Sequence, residues 1–339
     1  MKFSKKHLEV FENKNILITG GAGFIGSNLI RFFQKNCPKS NLFIFDRFRD
    51  DSRFSNGNLI SFGHFNNIIN FDGEIIWGDL KNSNDLDKLK KYKFDYIFHQ
   101  AAISDTTVYD QSIVMRTNLE SFRTFLDFAE DGTNLIYASS AATYGMSEAP
   151  QQIGFESPDN PYGYSKLMMD KVTEKYMRLH KHVKIIGLRY FNVYGQGEFY
   201  KDKTASVISQ ISFQILNKQA PVLFENSKNY LRDFVYIDDV IQANILAALS
   251  EKSGILNVGS GVARSFQELS DICQRVFNTN YANEYVKNNL RSYQTHTEAD
   301  ISKTIESIGY KPEFDLESGI EDYSAHLKIL HEKYKNNHK

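Results

Sequence analysis

Three glycines spaced three residues apart, Gly20, Gly23 and Gly26, lie between an apolar run, Asn15-Ile16-Leu17-Ile18-Thr19, and a helical stretch over residues 27–35. Strand, glycine turn and helix in that order constrain the chain more than any other feature, because a dinucleotide-binding βαβ unit requires them. Glycines here let the backbone turn sharply, approach a pyrophosphate and pack helix on strand. The helix N-terminus then offers free N–H groups to the anion. The spacing alone is weak evidence, but its context supports it. A second strand pattern, Leu42-Phe43-Ile44-Phe45, ends in Asp46, 20 residues after Gly26, where the adenosine ribose of such a unit lies.

Arg47 follows Asp46, and Arg53 lies just beyond. An acid at this place binds a ribose 2'-hydroxyl, whereas arginines favour a 2'-phosphate, so the signals conflict, with the arginines tipping the expectation toward NADP over NAD. The polar and aromatic loop over residues 50–70 is long enough to close over a cofactor. A third strand pattern ends at Asp79-Leu80, placed to meet an adenine, and a fourth, Tyr96-Ile97-Phe98-His99, runs into Gln100-Ala101-Ala102. His99 reads as a buried core residue. Residues 108–130 are helical in pattern and carry Asn118 behind the site, and a fifth strand, 134–138, delivers Ser139 and Ser140.

Strands and helices that alternate at these lengths predict an α/β chain, a Rossmann-type doubly wound parallel sheet with a smaller mixed α/β C-terminal substrate lobe. The expected organisation is a polar leader over 1–14, a dinucleotide-binding domain over 15–195 to which segments near 231–262 return, and a substrate lobe mainly over 196–334. Ligands gather at the carboxyl ends of the strands of such a sheet.

Tyr162-Gly163-Tyr164-Ser165-Lys166 is expected at that end. Four residues apart on a helix, Tyr162 and Lys166 share a face. A neighbouring cation favours phenolate, lowering a tyrosine pKa of about 10 toward a value useful in base catalysis. Taken alone, the pattern also fits an ordinary surface helix. Overall charge is balanced, 40 basic against 41 acidic residues, which argues against a polyanionic partner such as nucleic acid. Cys37 and Cys273 are too few for a disulfide framework or metal cluster. No run approaches a membrane span and the N-terminus lacks a signal-peptide core, so a soluble cytoplasmic protein without a metal is expected.

Together, the glycine turn, Asp79-Leu80, Ser140, Tyr162-x-x-x-Lys166 and Arg189-Tyr190-Phe191-Asn192-Val193-Tyr194-Gly195 resemble the extended short-chain dehydrogenase/reductase family, which includes nucleotide-sugar epimerases and dehydratases. Segments 100–107, 137–145, 223–227 and 232–236 resemble its ADP-heptose 6-epimerase branch, enzymes of lipopolysaccharide inner-core precursor synthesis. The resemblance implies a homo-oligomer whose partner is a small nucleotide sugar, ADP-heptose. It implies dinucleotide contacts from Phe24, Ile25, Asp46, Arg47, Arg53, Gln100, Ala101, Ala102, Ile103, Ser104, Asn118, Lys166 and Val193. Substrate contacts would come from Asn192, Gln210, Phe224, Glu225, Asn226, Ser227, Arg232 and Tyr293. The sequence departs from that branch at Arg53, where it has a lysine, and at Gln210 and Lys203, where it has a histidine and a serine.

Inverting C6'' of a heptose cannot proceed by deprotonation, because that carbon bears no acidic proton. Transient oxidation and re-reduction on the opposite face can, and two faces imply two acid/base groups. Tyr162 is the first, with Lys166 and Ser140 assisting. The resemblance assigns the second role to Lys201, which taken alone reads as a phosphate-binding or solvated lysine. Arg232 is expected to clamp a diphosphate. Two alternatives stand beside this expectation. A 4-epimerase of the same family would use the same Tyr, Lys and Ser, and a non-catalytic NADP-binding protein would not need them. A dehydratase fits poorly, because Ser140-Ala141-Ala142 occupies the place of that group's Thr-Asp-Glu run.

Overall fold

The computed structural model describes residues 3–288 and 293–335. Its centre is a seven-stranded parallel sheet built from β1 (Asn15–Thr19), β2 (Asn41–Asp46), β3 (Glu74–Trp77), β4 (Tyr96–His99), β5 (Asn134–Ser140), β6 (Ile185–Tyr190) and a later strand, β10 (Gly254–Val258). Their order across the sheet is β10-β6-β5-β4-β1-β2-β3. Ile16, Leu17 and Ile18 are fully buried, as are Phe98 and Ile185, because helices cover both faces. The order reverses between β1 and β4, so Thr19, Asp46, His99 and Ser140 all end at one crevice.

The second lobe is small and leans on the first. β7 (Asn192–Tyr194) pairs in parallel with β9 (Leu231–Tyr236), which pairs antiparallel with β11 (Ala263–Ser265), and β8 (Val222–Phe224) pairs with β12 (Glu284–Val286). A 20-residue C-terminal helix, Leu316–Lys335, packs back across this lobe through Ile320, Tyr323 and Leu327. The apolar core runs without a break from the sheet into the lobe, which explains why the two alternate along the chain.

Three expectations need correcting. The leader is not a separate polar unit: residues Lys5–Leu8 form a helical turn, and Phe11 is fully buried, 5.3 Å from the Phe33 ring and 4.9 Å from that of Tyr96. The helix expected over 108–130 is interrupted by a π turn at Arg116–Glu120 between Gln111–Met115 and Phe122–Glu130. The apolar pattern over 183–188 predicts a sixth strand, but β6 begins two residues later and runs on through Arg189, whose charge is satisfied internally. The last six residues read in sequence as a solvated tail, and of these 336–339 lie outside the described residues.

Candidate active site

A cleft of about 580 Å³ opens at the carboxyl ends of the strands. One end is the glycine turn. Gly20 has φ of +67°, and a Cβ there would sit 2.9 Å from Ala101 N, while a Cβ on Gly26 would overlap the Gly20 carbonyl oxygen. The turn is therefore built so closely that only hydrogen fits, which leaves the N-terminus of helix Phe24–Asn36 facing the cleft. Phe24, Ile25, Gln100, Ala101, Ala102, Ile103 and Ser104 line the cleft beside it. Thr19 holds this floor in place, its hydroxyl accepting from Ala101 N at 3.1 Å and lying 2.9 Å from His99 Nδ1. His99 itself is buried between Phe122 and Phe125 and does not line the cleft.

At the dinucleotide's expected adenosine end stand Asp46, Arg47, Asp79 and Leu80. Asp46 is buried, and its two oxygens accept from Ala22 N (2.9 Å) and Phe48 N (2.7 Å), so it braces the turn. Arg47 pairs with Asp79 and Asp50, each at 3.0 Å. Arg53 lies outside the lining, bonded to the Gly57 carbonyl and 3.9 Å from Asp202.

The middle of the cleft holds Ser140, Tyr162 and Lys166. Tyr162 begins the helix Pro161–Leu179, whose first turn is capped by the Asn160 side chain accepting from Gly163 N at 2.8 Å. Gly163 has no room for a Cβ, which would strike the Ala142 carbonyl, so the helix sits against the turn that follows Ser140. Ser140 accepts from Ala142 N at 3.1 Å, which fixes its rotamer. Lys166 donates to the Ala138 carbonyl at 2.7 Å, and burial lowers its pKa to about 8, with Asp170 opposing. The expected lowering at Tyr162 is not present in this geometry. Burial holds the phenol above its ordinary range and only the Ser140 hydroxyl pulls the other way, because the Lys166 ammonium is turned onto a main-chain carbonyl.

Behind these groups lies a buried ion network. Arg189 Nε bonds Asp170 at 2.8 Å and Nη1 bonds Glu156 at 2.6 Å, while Asp170 also accepts from Tyr137 and from Ser139, the neighbour of Ser140. Asn118 is part of this support and does not line the cleft: its amide bonds both main-chain atoms of Ile103 and the Ser165 hydroxyl, each at 2.9 Å. The resemblance implies a dinucleotide contact for Asn118; its side chain, carried on the π turn, holds the main chain of Ile103, which does line the cleft.

The far end is lined by Asn192, Val193, Lys201, Arg232, Phe234, Phe266 and Tyr293. The Lys201 ammonium lies 5.6 Å over the Phe24 ring, and burial lowers its pKa while Glu198 and Asp105 raise it. Arg232 is buried, its guanidinium 4.7 Å from the Tyr293 ring and 5.5 Å from that of Phe266. Its two Nη atoms donate to the carbonyls of Leu231 (2.8 Å) and Gln294 (2.6 Å), and among the described residues no carboxylate pairs with it, so its positive charge stands beside the cleft. Gln210 and the run Phe224, Glu225, Asn226 and Ser227 do not line the cleft. Gln210 is exposed and donates to the Ala205 carbonyl at 2.8 Å, Phe224 meets Tyr293 edge-on at 5.6 Å, and Ser227 is buried. Phe234 and Phe266, which do line it, read as ordinary core residues in sequence; only the folded pairing around Arg232 distinguishes them.

A glycine turn of the dinucleotide-binding form and a Tyr–Lys–Ser group in one cleft, with a buried arginine also lining it, are the arrangement of a dinucleotide-dependent α/β enzyme. The chain matches the NAD dependent epimerase/dehydratase family over residues 16–259, and it belongs to that family. Among solved structures it is similar to the Helicobacter pylori ADP-L-glycero-D-manno-heptose-6-epimerase, with 46% identity, 97% of this chain and 99% of that one covered, and a TM-score of 0.86. It is also similar to a UDP-N-acetylglucosamine 4-epimerase of Methanobrevibacter ruminantium at 26% identity, covering 94% and 99% of the two chains at a TM-score of 0.82. A UDP-glucuronic acid 4-epimerase of Bacillus cereus, in complex with UDP-glucuronic acid and NAD, is 25% identical over 93% and 99%, TM-score 0.80. The chain is an epimerase-class enzyme of the extended short-chain dehydrogenase/reductase fold. No helix among the described residues is long and apolar enough to cross a membrane.

Proposed function

We propose that the enzyme epimerises ADP-D-glycero-D-manno-heptose at C6'', giving the L-glycero form for lipopolysaccharide inner-core synthesis, with NADP as cofactor. The observation that carries this reading is that Tyr162 and Lys201, from different lobes, line one cleft with Arg232. The 46% identity to a heptose 6-epimerase over nearly the whole chain favours this substrate over the UDP-sugars of the more distant 4-epimerases.

The tightly built glycine turn fits a pyrophosphate, and Arg47, the arginine that lines the cleft beside Asp46, is the group for a 2'-phosphate. With both Asp46 oxygens engaged by main-chain N–H groups, the acid braces the turn as much as it offers itself to a ribose hydroxyl, which favours NADP over NAD. When bound, the nicotinamide supplies reversible oxidation of a carbinol carbon. The chain handles the protons. Ser140 and Tyr162 bind the C6'' oxygen in one pose, with Tyr162 taking and returning its proton. Lys201, its pKa lowered by burial, serves the pose in which the sugar end presents its other face. Arg232 holds the diphosphate so that the heptose end can turn while the nucleotide stays fixed.

The test is to incubate the enzyme with ADP-D-glycero-D-manno-heptose and, separately, with UDP-glucose and UDP-N-acetylglucosamine, resolving the epimers by NMR. Turnover of the ADP-sugar alone is expected; turnover of a UDP-hexose instead would make this a 4-epimerase. Tyr162→Phe should lower turnover by about 10²-fold or more with little loss of dinucleotide affinity.

A further inference from the structure

The segment that carries Lys201 is short and bent. Residues Phe199–Thr204 form a tight turn broken at Asp202, whose φ of 54° lies in the left-handed region that costs a non-glycine residue about 1 kcal/mol or more. Both ends are tied to the buried Glu198 carboxylate, which accepts from Gly195 N at 3.1 Å, Ser206 N at 2.6 Å and Ser206 Oγ at 2.8 Å. Within the loop, Lys201 N donates to the Glu198 carbonyl at 2.9 Å and its own carbonyl accepts from Thr204 Oγ1 at 2.7 Å, bonds that hold the turn together locally but do not set where it lies against the rest of the cleft.

The residues just before Lys201 are gripped from two other parts of the chain. Tyr200 lies face to face with His64, ring centroids 3.7 Å apart and planes 6° apart, and its hydroxyl is 2.7 Å from that of Tyr334 near the end of the C-terminal helix. Phe199 stacks on Tyr334 at 4.9 Å. Neither His64 nor Tyr334 lines the cleft. His64 belongs to the segment that braces the glycine turn: its N–H donates to the Ala22 carbonyl at 2.9 Å, and Asn67 spans from the Ala22 carbonyl (3.1 Å) to that of Gly197 (3.2 Å). One aromatic and amide unit therefore joins the dinucleotide turn, the Lys201 turn and the C-terminal helix.

We propose that Tyr200 is a positioning residue for Lys201, and that its clamp between His64 and Tyr334 keeps the lysine amine at the reacting end of the cleft. The proposal rests on the two-base reading given above. A lysine has a flexible four-carbon stem, so its amine is placed only as well as its backbone is. Misplacing a reacting group by about 1 Å costs up to roughly 10²-fold in rate.

The test compares the wild type, Lys201→Met, Tyr200→Leu and Tyr334→Phe, each given the two ADP-heptose epimers separately. Formation of reduced nicotinamide in the first turnover is followed by its absorbance. In Lys201→Met, the epimer oxidised through Tyr162 should still react while the other slows. Tyr200→Leu should show the same asymmetry at roughly 10-fold or more, and Tyr334→Phe, which keeps the ring and the fold, a smaller one in the same direction. Hydrogen exchange should rise over residues 196–206 in both clamp variants and stay unchanged over 161–179. Equal slowing of the two epimers, or wild-type rates, in Tyr200→Leu overturns the clamp when Lys201→Met remains asymmetric. A symmetric Lys201→Met refutes the two-base reading and the clamp with it, and a wild type that leaves both heptose epimers unchanged refutes the substrate instead.

Discussion

Lys166 should make the protein less stable at neutral pH than its packing would allow, and the effect can be worked from the structure. The ammonium is buried, with the Ala138 carbonyl as its hydrogen-bond acceptor, and its pKa falls from an ordinary 10.5 to about 8. A lysine whose folded pKa lies below its unfolded one binds its proton more weakly in the folded state. Below pH 8 both states carry the charge, and the cost of burying it is fully present. Between pH 8 and 10.5 the folded state has released the proton and the unfolded state has not, so stability rises with pH at ~1.4 kcal/mol per unit. Lys166→Met lacks this contribution while sharing every other titrating group. The difference in unfolding free energy, wild type minus variant, should therefore increase by about 3 kcal/mol from pH 7 to 10.5. Urea unfolding at several pH values, with no added dinucleotide and with the slope on denaturant held equal, measures it. A difference that stays flat, or shrinks as pH rises, would refute the claim that this ammonium is held desolvated.

Three further outcomes are expected. Gly26→Ala should raise the dinucleotide Kd by roughly tenfold or more, about 1.4 kcal/mol, because a Cβ there overlaps the Gly20 carbonyl oxygen; calorimetric titration reads it, and unchanged affinity would mean the turn does not hold the pyrophosphate. Arg47→Ala should weaken NADP by about tenfold and NAD much less, since a charge-assisted bond to phosphate contributes on the order of 1.5–3 kcal/mol; equal weakening of both would remove Arg47 as the 2'-phosphate group. Arg232→Ala should raise KM for the nucleotide sugar by about 10- to 100-fold without changing dinucleotide affinity, and steady-state kinetics with the preferred sugar would show if it does not.

What could be read from the sequence was local. Gly20, Gly23, Gly26 and Asp46 act through a turn and two strands that are continuous in the chain, so pattern and spacing suffice to place them. Tyr162 and Lys166 share a helix and need only its period. The substrate end is different, because Arg232, Phe266 and Tyr293 meet only after three separate segments fold together. Gln210 and residues Phe224 to Ser227, carried over by likeness of motif, do not line the cleft, and Phe224 only meets the lining residue Tyr293 edge-on. Phe11 was hidden for the opposite reason: a single apolar residue among charges has no period, and its burial depends on a hole between Phe33 and Tyr96. Sequence pattern likewise says nothing about the direction of a side chain, which is why the Lys166 amine was expected to lower the Tyr162 pKa and is found on Ala138 instead.

The two groups proposed as acid and base are mounted very differently. Tyr162, Ser140 and Lys166 stand on the sheet and its longest crossing helix, braced by the Arg189–Asp170–Glu156 ion network, in which every member is almost fully buried. Removing one charge from such a network leaves the others desolvated, so that side of the cleft has a single stable arrangement. Lys201 stands on a six-residue turn that includes a strained residue and is anchored by rings and one carboxylate. An epimerase has to let one end of its sugar rotate between two poses while the hydride-exchanging carbon returns to the same place. A group braced by the sheet on the side of the dinucleotide and one clamped separately on the side of the sugar leave the space between them for the sugar end to turn. The glycine turn extends that division, because Asn67 links Ala22 to Gly197, so whatever seats the dinucleotide also bears on the turn that presents Lys201.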